Sequence, residues 1–381
     1  MKAVIIDITG RNASQYNPSL CSSLSKYDNL DISLMSPIIP PDHEGYGYIK
    51  LIKIIPDSWA SKEGKLKFLL RGLEVVLNYF YIFFYVLIHK PDVLHFQWLP
   101  LIEFAVGDVW LLKILKVISP NIRLFLTAHN VYPHNLDVRS IDKYKNRFKN
   151  IDKYLSGYLV HLNSTKEELS SEFSISKKKI YVSYHGIYVP EKYEAKINTR
   201  KNIKQIIMYG TQNRYKGVDI LIEALRLLPK EMLSISRTLI VGKTDRDIYE
   251  DYIDISDSLN IHWINKFVSD EELYKSIGES DLILLPYRRI SQSGVLLLAL
   301  SYRKPILTSD LPSFRETLIG YDDNWFFKSE SPQALSEKLS EYLDGRLNVD
   351  DMISVINSLN LKYSWDNTAK STYQAYIGYN I

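Results

Sequence analysis
The sequence predicts an α/β chain built as two βαβ domains in tandem, and three observations carry that prediction. Short apolar runs bounded by Gly, Pro and polar clusters alternate with longer segments whose apolar residues recur at helical spacing. A polar segment from Pro190 to Lys204 lacks apolar periodicity, reads as a linker, and is followed by a restart of the same alternation. The chain has 381 residues, 46% of them hydrophobic, enough for two cores of ordinary size rather than one. The net charge of +3 is too mild to make nucleic acid the main partner. Cys21 is the only cysteine, so there is no intramolecular disulfide and no thiolate metal cluster. The opening MKAVIIDITG carries Asp7 inside its apolar run, which fits a first buried strand rather than a signal peptide. A reducing, cytoplasmic setting is expected.

In the first half, Lys2 to Ile8 reads as a strand, followed by a polar loop that feeds a helix near Pro18. Asp31 to Met35 is a second strand, Pro37 to Gly47 a loop rich in Pro and Gly, and Leu51 to Ile55 a further candidate strand. The most apolar segment comes next. Lys62, Lys65, Lys67 and Arg71 precede a run from Leu73 to Ile88 crowded with Tyr and Phe. Glu74 and Asn78 interrupt the run, and it falls short of the roughly 20 apolar residues that a membrane span needs. A helix buried in the domain is expected, while the basic and aromatic flank suits a bilayer surface. A second basic run, Arg139 to Tyr154, would add to that flank or is a solvated helix face.

Pro91 to Phe96 begins another strand, Phe104 to Val117 reads as a helix, and Arg123 to Thr127 is a strand that delivers Ala128-His129-Asn130 into a loop. His129 and His134 therefore sit just past a strand's C-terminal end, the edge where open α/β sheets bind ligands. A histidine satisfied by structural partners is the alternative for His129. Val160 to Asn163 and Ile180 to Val182 are two more strands, the latter ending at Ser183-Tyr184-His185-Gly186.

After the linker, Gln205 to Tyr209 is a strand, Gly210 to Gly217 a donor-rich loop and Val218 to Leu228 a helix. Thr238 to Val241 and Ile261 to Ile264 are strands, and Glu271 to Ile277 is a helix. The stretch from Asp281 to Glu316 organises this half. Its strand Leu282 to Leu285 leads through a polar loop closed by Gly294 into a helix, Val295 to Tyr302, and then a strand, Ile306 to Thr308. A strand, a small-residue loop and a helix N-terminus form an anion site, because free N–H groups and the helix dipole both favour negative charge there. Ser291, Ser293 and Gly294 would let a phosphate approach the backbone. An ordinary βα turn is the alternative. Asp245 and Asp247 form a D-x-D, a pattern that elsewhere holds a divalent metal against diphosphate oxygens. At the exposed start of a helix, acids merely favour the dipole, so no metal is assigned. After Pro332 two amphipathic helices are expected.

These residues resemble the glycosyltransferases of GT-B fold in the large group-one family of retaining enzymes. The likeness lies in YGTQNRYKGVDILIEAL, TLIVG, SDLILLPYRRISQSGVLLLALSYRKPIL and LPSFRE, with weaker echoes at TAHN, YHGIYVP and SWDNTA. The resemblance implies two Rossmann-like domains facing each other across a cleft. Residues 1–190 would bind the acceptor and 205–365 the nucleotide-diphosphate sugar, with 191–204 as linker. Residues 366–381 would form a helix crossing back to the first domain. It also implies that Lys216 and a basic residue in the loop after Gly210 grip the diphosphate. The family arginine usually follows the glycine, where this chain has Thr211, so Arg214 is the substitute. The two glutamates of the family's E-x7-E motif fall at Ile290 and Leu298 and are absent. A branch of the family has a serine–glycine loop instead, which makes Ser291, Gln292, Ser293, Gly294 and Val295 the donor-binding candidates. Glu316 matches the glutamate after the following loop, or is a surface helix-start residue. His129 matches the family histidine that contacts the donor sugar near the acceptor. His185 is assigned a structural or donor-lining role.

The implied activity is transfer of a sugar from a nucleotide-diphosphate donor to a saccharide acceptor, lipid-linked, in building a cell-surface polysaccharide. No cofactor beyond the donor substrate and no metal are expected. Partners would be the donor, the acceptor and the cytoplasmic face of the inner membrane. A nucleotide-sugar epimerase of similar fold, or a noncatalytic nucleotide-sugar-binding protein, are the alternatives.

Overall fold
The structure, a computed structural model, describes residues 1–10, 15–40, 43–56, 59, 64–133, 138–188, 203–290 and 292–378. Lys62, His134, Ser291 and most of the expected linker lie outside them. The chain divides into two compact units, one of Met1–Gly186 with Ser364–Ile381 and one of Ile187–Tyr363.

The first unit is built on β1 (Lys2–Ile6), β2 (Asp31–Ser36), β3 (Gly47–Lys50), β4 (Val93–Phe96), β5 (Arg123–Thr127), β6 (Gly157–Val160) and β7 (Ile180–Val182). They form one parallel sheet in the order β3-β2-β1-β4-β5-β6-β7. The inner strands are buried on both sides because helices cover both faces, whereas edge strand β3 is partly exposed. On one face lie α1 (Tyr16–Leu24) and the C-terminal helix Trp365–Ile377, which bury Leu20, Leu24, Ala369 and Tyr376 against the sheet. The other face is covered by α2 (Lys65–His89), α3 (Gly107–Ile118), α4 (Ile141–Asp152) and α5 (Asn163–Phe173), which contribute Ile82, Leu112, Phe148 and Phe173. His95 on β4 is fully buried, its Nδ1 2.7 Å from Tyr376 Oη and its Nε2 2.6 Å from Thr127 Oγ1. It therefore ties the C-terminal helix to the sheet.

Three expectations are corrected here. Leu51 to Ile55 is not a strand. Its backbone is held by α2 instead: Asn78 brackets Ile52, accepting at 2.8 Å and donating at 3.0 Å, while Glu74 accepts from Ile54 N at 2.9 Å. The strand of that region is β3, just before it. Second, α2 is not a buried helix. It runs for 25 residues, and Glu74, Val75, Asn78, Ile82 and Val86 form its buried stripe. Phe68, Phe80, Phe84, Leu87 and Ile88 stand exposed. Glu74 and Asn78, which read as interruptions of a span, are the residues that dock it. By length and composition α2 is long and apolar enough to cross a membrane. Third, β6 ends at Val160, and Asn163 already starts α5.

The second unit holds β8 (Lys204–Tyr209), β9 (Ser236–Val241), β10 (Ile261–Ile264), β11 (Leu282–Leu285), β12 (Ile306–Ser309) and β13 (Phe326–Phe327). They form a parallel sheet in the order β10-β9-β8-β11-β12-β13. Lys204, expected at the end of the linker, is the first residue of β8. The helices are α6 (Val218–Leu227), α7 (Lys230–Ser234), α8 (Arg246–Tyr252), α9 (Asp270–Gly278), α10 (Gly294–Ser301), α11 (Pro312–Thr317), α12 (Pro332–Leu343) and α13 (Val349–Lys362). With the C-terminal helix, three helices rather than two follow Pro332, because Asn348 and Ser364 each cap a new start. In each unit the first strand is central and the strand order reverses beside it, the arrangement of a Rossmann-like domain, which opens a crevice at the strands' C-terminal ends.

Candidate functional site
In the second unit that crevice lies between the loops that follow β8 and β11. Gly210 leaves β8 with φ +88, and a Cβ there would sit 2.8 Å from Lys216 Nζ and 3.4 Å from Val295 Cγ2. The Lys216 ammonium therefore rests over the Gly210 backbone, beside the first turn of α10. Gly217, with φ +75, brings the loop against the end of β11: a Cβ would lie 2.0 Å from Pro286 O. Only glycine fits either position without moving backbone or cation.

Lys216 is 5% exposed. Its Nζ lies 5.6 Å from the centre of the Tyr287 ring, and among the described residues no carboxylate pairs with it. Burial pushes its ammonium down to about 8, so it remains mostly charged at neutral pH. An unpaired buried cation is costly unless an anion joins it. Ser293 caps α10, its Oγ accepting from Leu296 N at 3.1 Å. Its hydroxyl is thus occupied as a cap, and the N–H groups of Gly294 and Val295 have no protein acceptor among the described residues. Gln292 is half-buried at the loop end, and Thr211 and Arg214 are exposed on the facing loop.

Two neighbours escaped the sequence reading. Arg288 grips Asp219 with both terminal nitrogens, at 2.8 and 2.6 Å, and donates to Arg214 O at 2.6 Å. It fixes the turn that carries Lys216. Gln212, fully buried, donates to Gly210 O at 2.8 Å, and its Oε1 has no partner among the described residues. Glu316 lies half-buried on α11, its carbonyl accepting from Tyr363 Oη at 3.4 Å. Asp245 precedes α8 and Asp247 sits in its first turn. Among the described residues no group of three His, Cys, Asp or Glu is placed to hold a metal.

In the first unit the strand ends carry histidines. His129 follows β5, His161 follows β6 and His185 follows β7. His161 Nε2 is 3.2 Å from His129 Nδ1, and His161 Nδ1 is 2.8 Å from Ser183 O. A carbonyl only accepts, so His161 carries its proton on Nδ1. Burial pushes His161 down to about 4, so it is neutral and its bare Nε2 accepts from His129 Nδ1–H. His129 is itself held well below the usual range by burial and by His161, His185 and His95. Its Nε2 is then an acceptor, facing the Gln97 amide at 3.0 Å. The amide must present its NH2, a rotation that also pairs a buried nitrogen otherwise without a partner. Both ring nitrogens of His129 are thus engaged. Trp98 stacks on its face at 5.3 Å, and Tyr16 meets His129, His161 and His185 edge-on. His129 remains partly exposed and lines a cavity of about 230 Å³ with Trp98, Ile102, Asn130 and Tyr144.

Residues 189–355 match the family described as glycosyl transferases group 1. An uncharacterized glycosyltransferase of Methanocaldococcus jannaschii is 27% identical over 246 residues, 59% of this chain and 62% of that protein. A GDP-mannose:glycolipid 4-beta-D-mannosyltransferase of Xanthomonas campestris is 28% identical over 105 residues, 27% of this chain and 29% of its own. The match thus spans less than two thirds of either curated relative. Among solved structures, the Anabaena protein HepE in complex with UDP aligns with TM-score 0.67 at 12% identity, covering 98% of this chain and 99% of its own. Sucrose-phosphate synthase from Thermosynechococcus elongatus aligns with TM-score 0.70 at 15% identity, over 99% and 98% of the two chains. The fold is that of the GT-B glycosyltransferases, and fold and family match together support a group 1 glycosyltransferase.

Proposed function
We propose that this protein transfers a sugar, with retention, from a nucleotide-diphosphate donor to a glycolipid or other lipid-linked saccharide acceptor in cell-surface polysaccharide synthesis. The observation that carries the reading is Lys216, a buried cation with no carboxylate partner among the described residues, set over Gly210 and beside the start of α10. A diphosphate placed there would accept from Lys216 Nζ and from the N–H groups of Gly294 and Val295. As the bond from the sugar's anomeric carbon to the diphosphate oxygen breaks, negative charge grows on the leaving group. Fixed donors then bind it more tightly than they bind the ground state. Arg214 adds an exposed cation. These groups supply the positive field, so no divalent ion is required. UDP, GDP and ADP should be compared by thermal shift, since related proteins are named for UDP complexes and for GDP-mannose. One of them should stabilise the protein, and the shift should persist in EDTA. No shift with any nucleotide, or one that needs manganese, would overturn this reading.

A noncatalytic nucleotide-sugar-binding protein is the second reading. The observation that favours it is that both His129 nitrogens already have protein partners.

For localisation we propose the cytoplasmic membrane face, with α2 and α3 lying on the bilayer. Support comes from exposed Phe68, Phe80, Phe84 and Ile88 on α2, from Trp110 and Val117 on α3, and from Lys65, Lys67 and Arg71 in the first turns of α2. Tyr79 on α2 donates to the Asp108 carboxylate on α3, which also accepts from Leu101 N at 2.9 Å, so the two helices present one fixed face. Sedimentation with anionic liposomes should be strong at low salt and weak at high salt. Binding that only detergent reverses would argue for insertion.

A further inference from the structure
The groove along the free edge of the first unit's sheet has no role in the reading above. Among the described residues strand β7 ends the sheet, pairing with β6 alone. Alongside it, between α5 and the C-terminal helix, lies a half-open groove of about 680 Å³, within the size range of ligand sites. Its lining includes Lys166, Lys177, Lys178, Tyr184, Lys370 and Gln374 and, among the described residues, no carboxylate. Lys177 pairs with Glu167 outside the groove. Among the described residues, no carboxylate pairs with Lys166, Lys178 or Lys370.

We propose that this groove binds an acidic oligosaccharide, the anionic glycan that the enzyme extends. The polar tips that line it are ammonium, amide and hydroxyl groups. That set suits a chain that is rich in acceptor oxygens and negatively charged. Among the described residues no arginine lines it. Planar bidentate forks suit a single phosphate or carboxylate, whereas separate flexible point charges suit carboxylates spaced along a chain. Tyr181 and Tyr184 supply ring surfaces among the donors. The groove also has a direction. Lys177 and Lys178 precede β7, while Tyr184 and Asn163 lie past the C-terminal ends of β7 and β6, joined by a bond of 3.0 Å. That is the edge that carries His129, His161 and His185. From Ile180 to Tyr184 the chain covers roughly 13 Å at a rise of about 3.3 Å per residue, and the 3-10 turn Lys177–Lys179 before it adds about 2 Å per residue, room for a few sugar rings. The direction rests on the glycosyl-transfer reading; the ligand chemistry does not.

Calorimetry with hexagalacturonate, neutral maltohexaose and a hexauridylate RNA tests the proposal. The variants are Lys178→Glu/Lys370→Glu, two exposed groove lysines, and a control with the same charge change on exposed lysines of the other unit, Lys230→Glu/Lys275→Glu. Hexagalacturonate should bind at low salt, at least about tenfold more tightly than maltohexaose, and the groove variant should weaken it about tenfold or more while the control leaves it intact. No binding, equal binding of maltohexaose, tighter binding of the RNA, or equal loss in the control would overturn the proposal. The nucleotide thermal shift of the same variants separates the two claims. The groove variant should keep the wild-type shift, whereas a wild type that binds the glycan but shows no nucleotide shift would sink the donor site and leave the groove standing.

Discussion
The two units share one strand order, yet their C-terminal strand edges are built in opposite ways. Among the described residues, the second unit's edge leaves a cation and two helix N–H groups without protein partners and closes the gap with glycines. The first unit's edge is a ring of neutral histidines around Tyr16 in which ring nitrogens are matched to carbonyl, amide or imidazole. An unmet charge in a buried place signals a ligand, because the fold alone would not tolerate it. A satisfied network signals a scaffold that holds one partly exposed group, here His129, in one orientation. Group transfer needs both, charge where charge develops and rigidity where the reacting groups are placed.

The largest expected effect breaks the comparison by pH. Burial holds His95 and His185 down to about 3 and His161 to about 4, against an ordinary 6.5. Between those folded values and 6.5 the unfolded chain binds more protons than the native one, so stability rises with pH across that window. At pH 5, about 1.5 units below the ordinary value, each buried histidine costs about 2 kcal/mol, or roughly 6 kcal/mol as an upper bound for three. The second unit has a single histidine, the exposed His262. Urea unfolding at pH 7 and pH 5 should therefore show the loss in the first unit's transition. Equal midpoints at both pH values would mean that the histidines are not held neutral.

The next effect tests the second unit's edge against the first. Lys216→Ala should lower turnover by 10²–10³, about 3 kcal/mol by analogy with loss of one preorganised donor, and weaken nucleotide binding less. His129→Ala should lower turnover while leaving nucleotide affinity near wild type, since it lies in the other unit. A His129→Ala protein with normal turnover would remove His129 from the chemistry, nucleotide binding without any turnover in the wild type would favour the noncatalytic reading, and collapse of nucleotide binding would make His129 structural.

Much of this was legible in the chain. The strands at Arg123–Thr127, Ile180–Val182, Ile261–Ile264 and Leu282–Leu285 are short apolar runs with clear turn signals, and their bounds are read directly. Lys216 could be placed because its turn abuts a strand and a helix in sequence. His161 could not. It lies 32 residues from His129, and only the pairing of β5 with β6 brings their ends together. Arg288 is 69 residues from Asp219, and the pairing of β8 with β11 makes them neighbours. The face of α2 was misread for a different reason. Glu74 and Asn78 look like breaks in an apolar run, but the groups that satisfy them are backbone amides of residues 52–55, which no periodicity reports.

The smallest expected effect sharpens the comparison within one loop. Arg214 and Lys216 sit two residues apart on the same turn, but Arg214 is exposed and Lys216 is buried. If charge alone marks the diphosphate grip, their alanine variants should be equally damaging. If burial marks it, they should differ. An exposed cation keeps its hydration, its field is screened by solvent, and it is not preorganised toward one point. A buried one cannot relax and acts through low dielectric. Arg214→Ala should accordingly cost about tenfold or less in turnover, near 1.4 kcal/mol, with stability changed by less than about 0.5 kcal/mol. Raising the salt should narrow the gap between wild type and Arg214→Ala while leaving the Lys216→Ala deficit in place. A loss from Arg214→Ala as large as that from Lys216→Ala, and insensitive to salt, would show that Arg214 folds onto the leaving group when the donor binds.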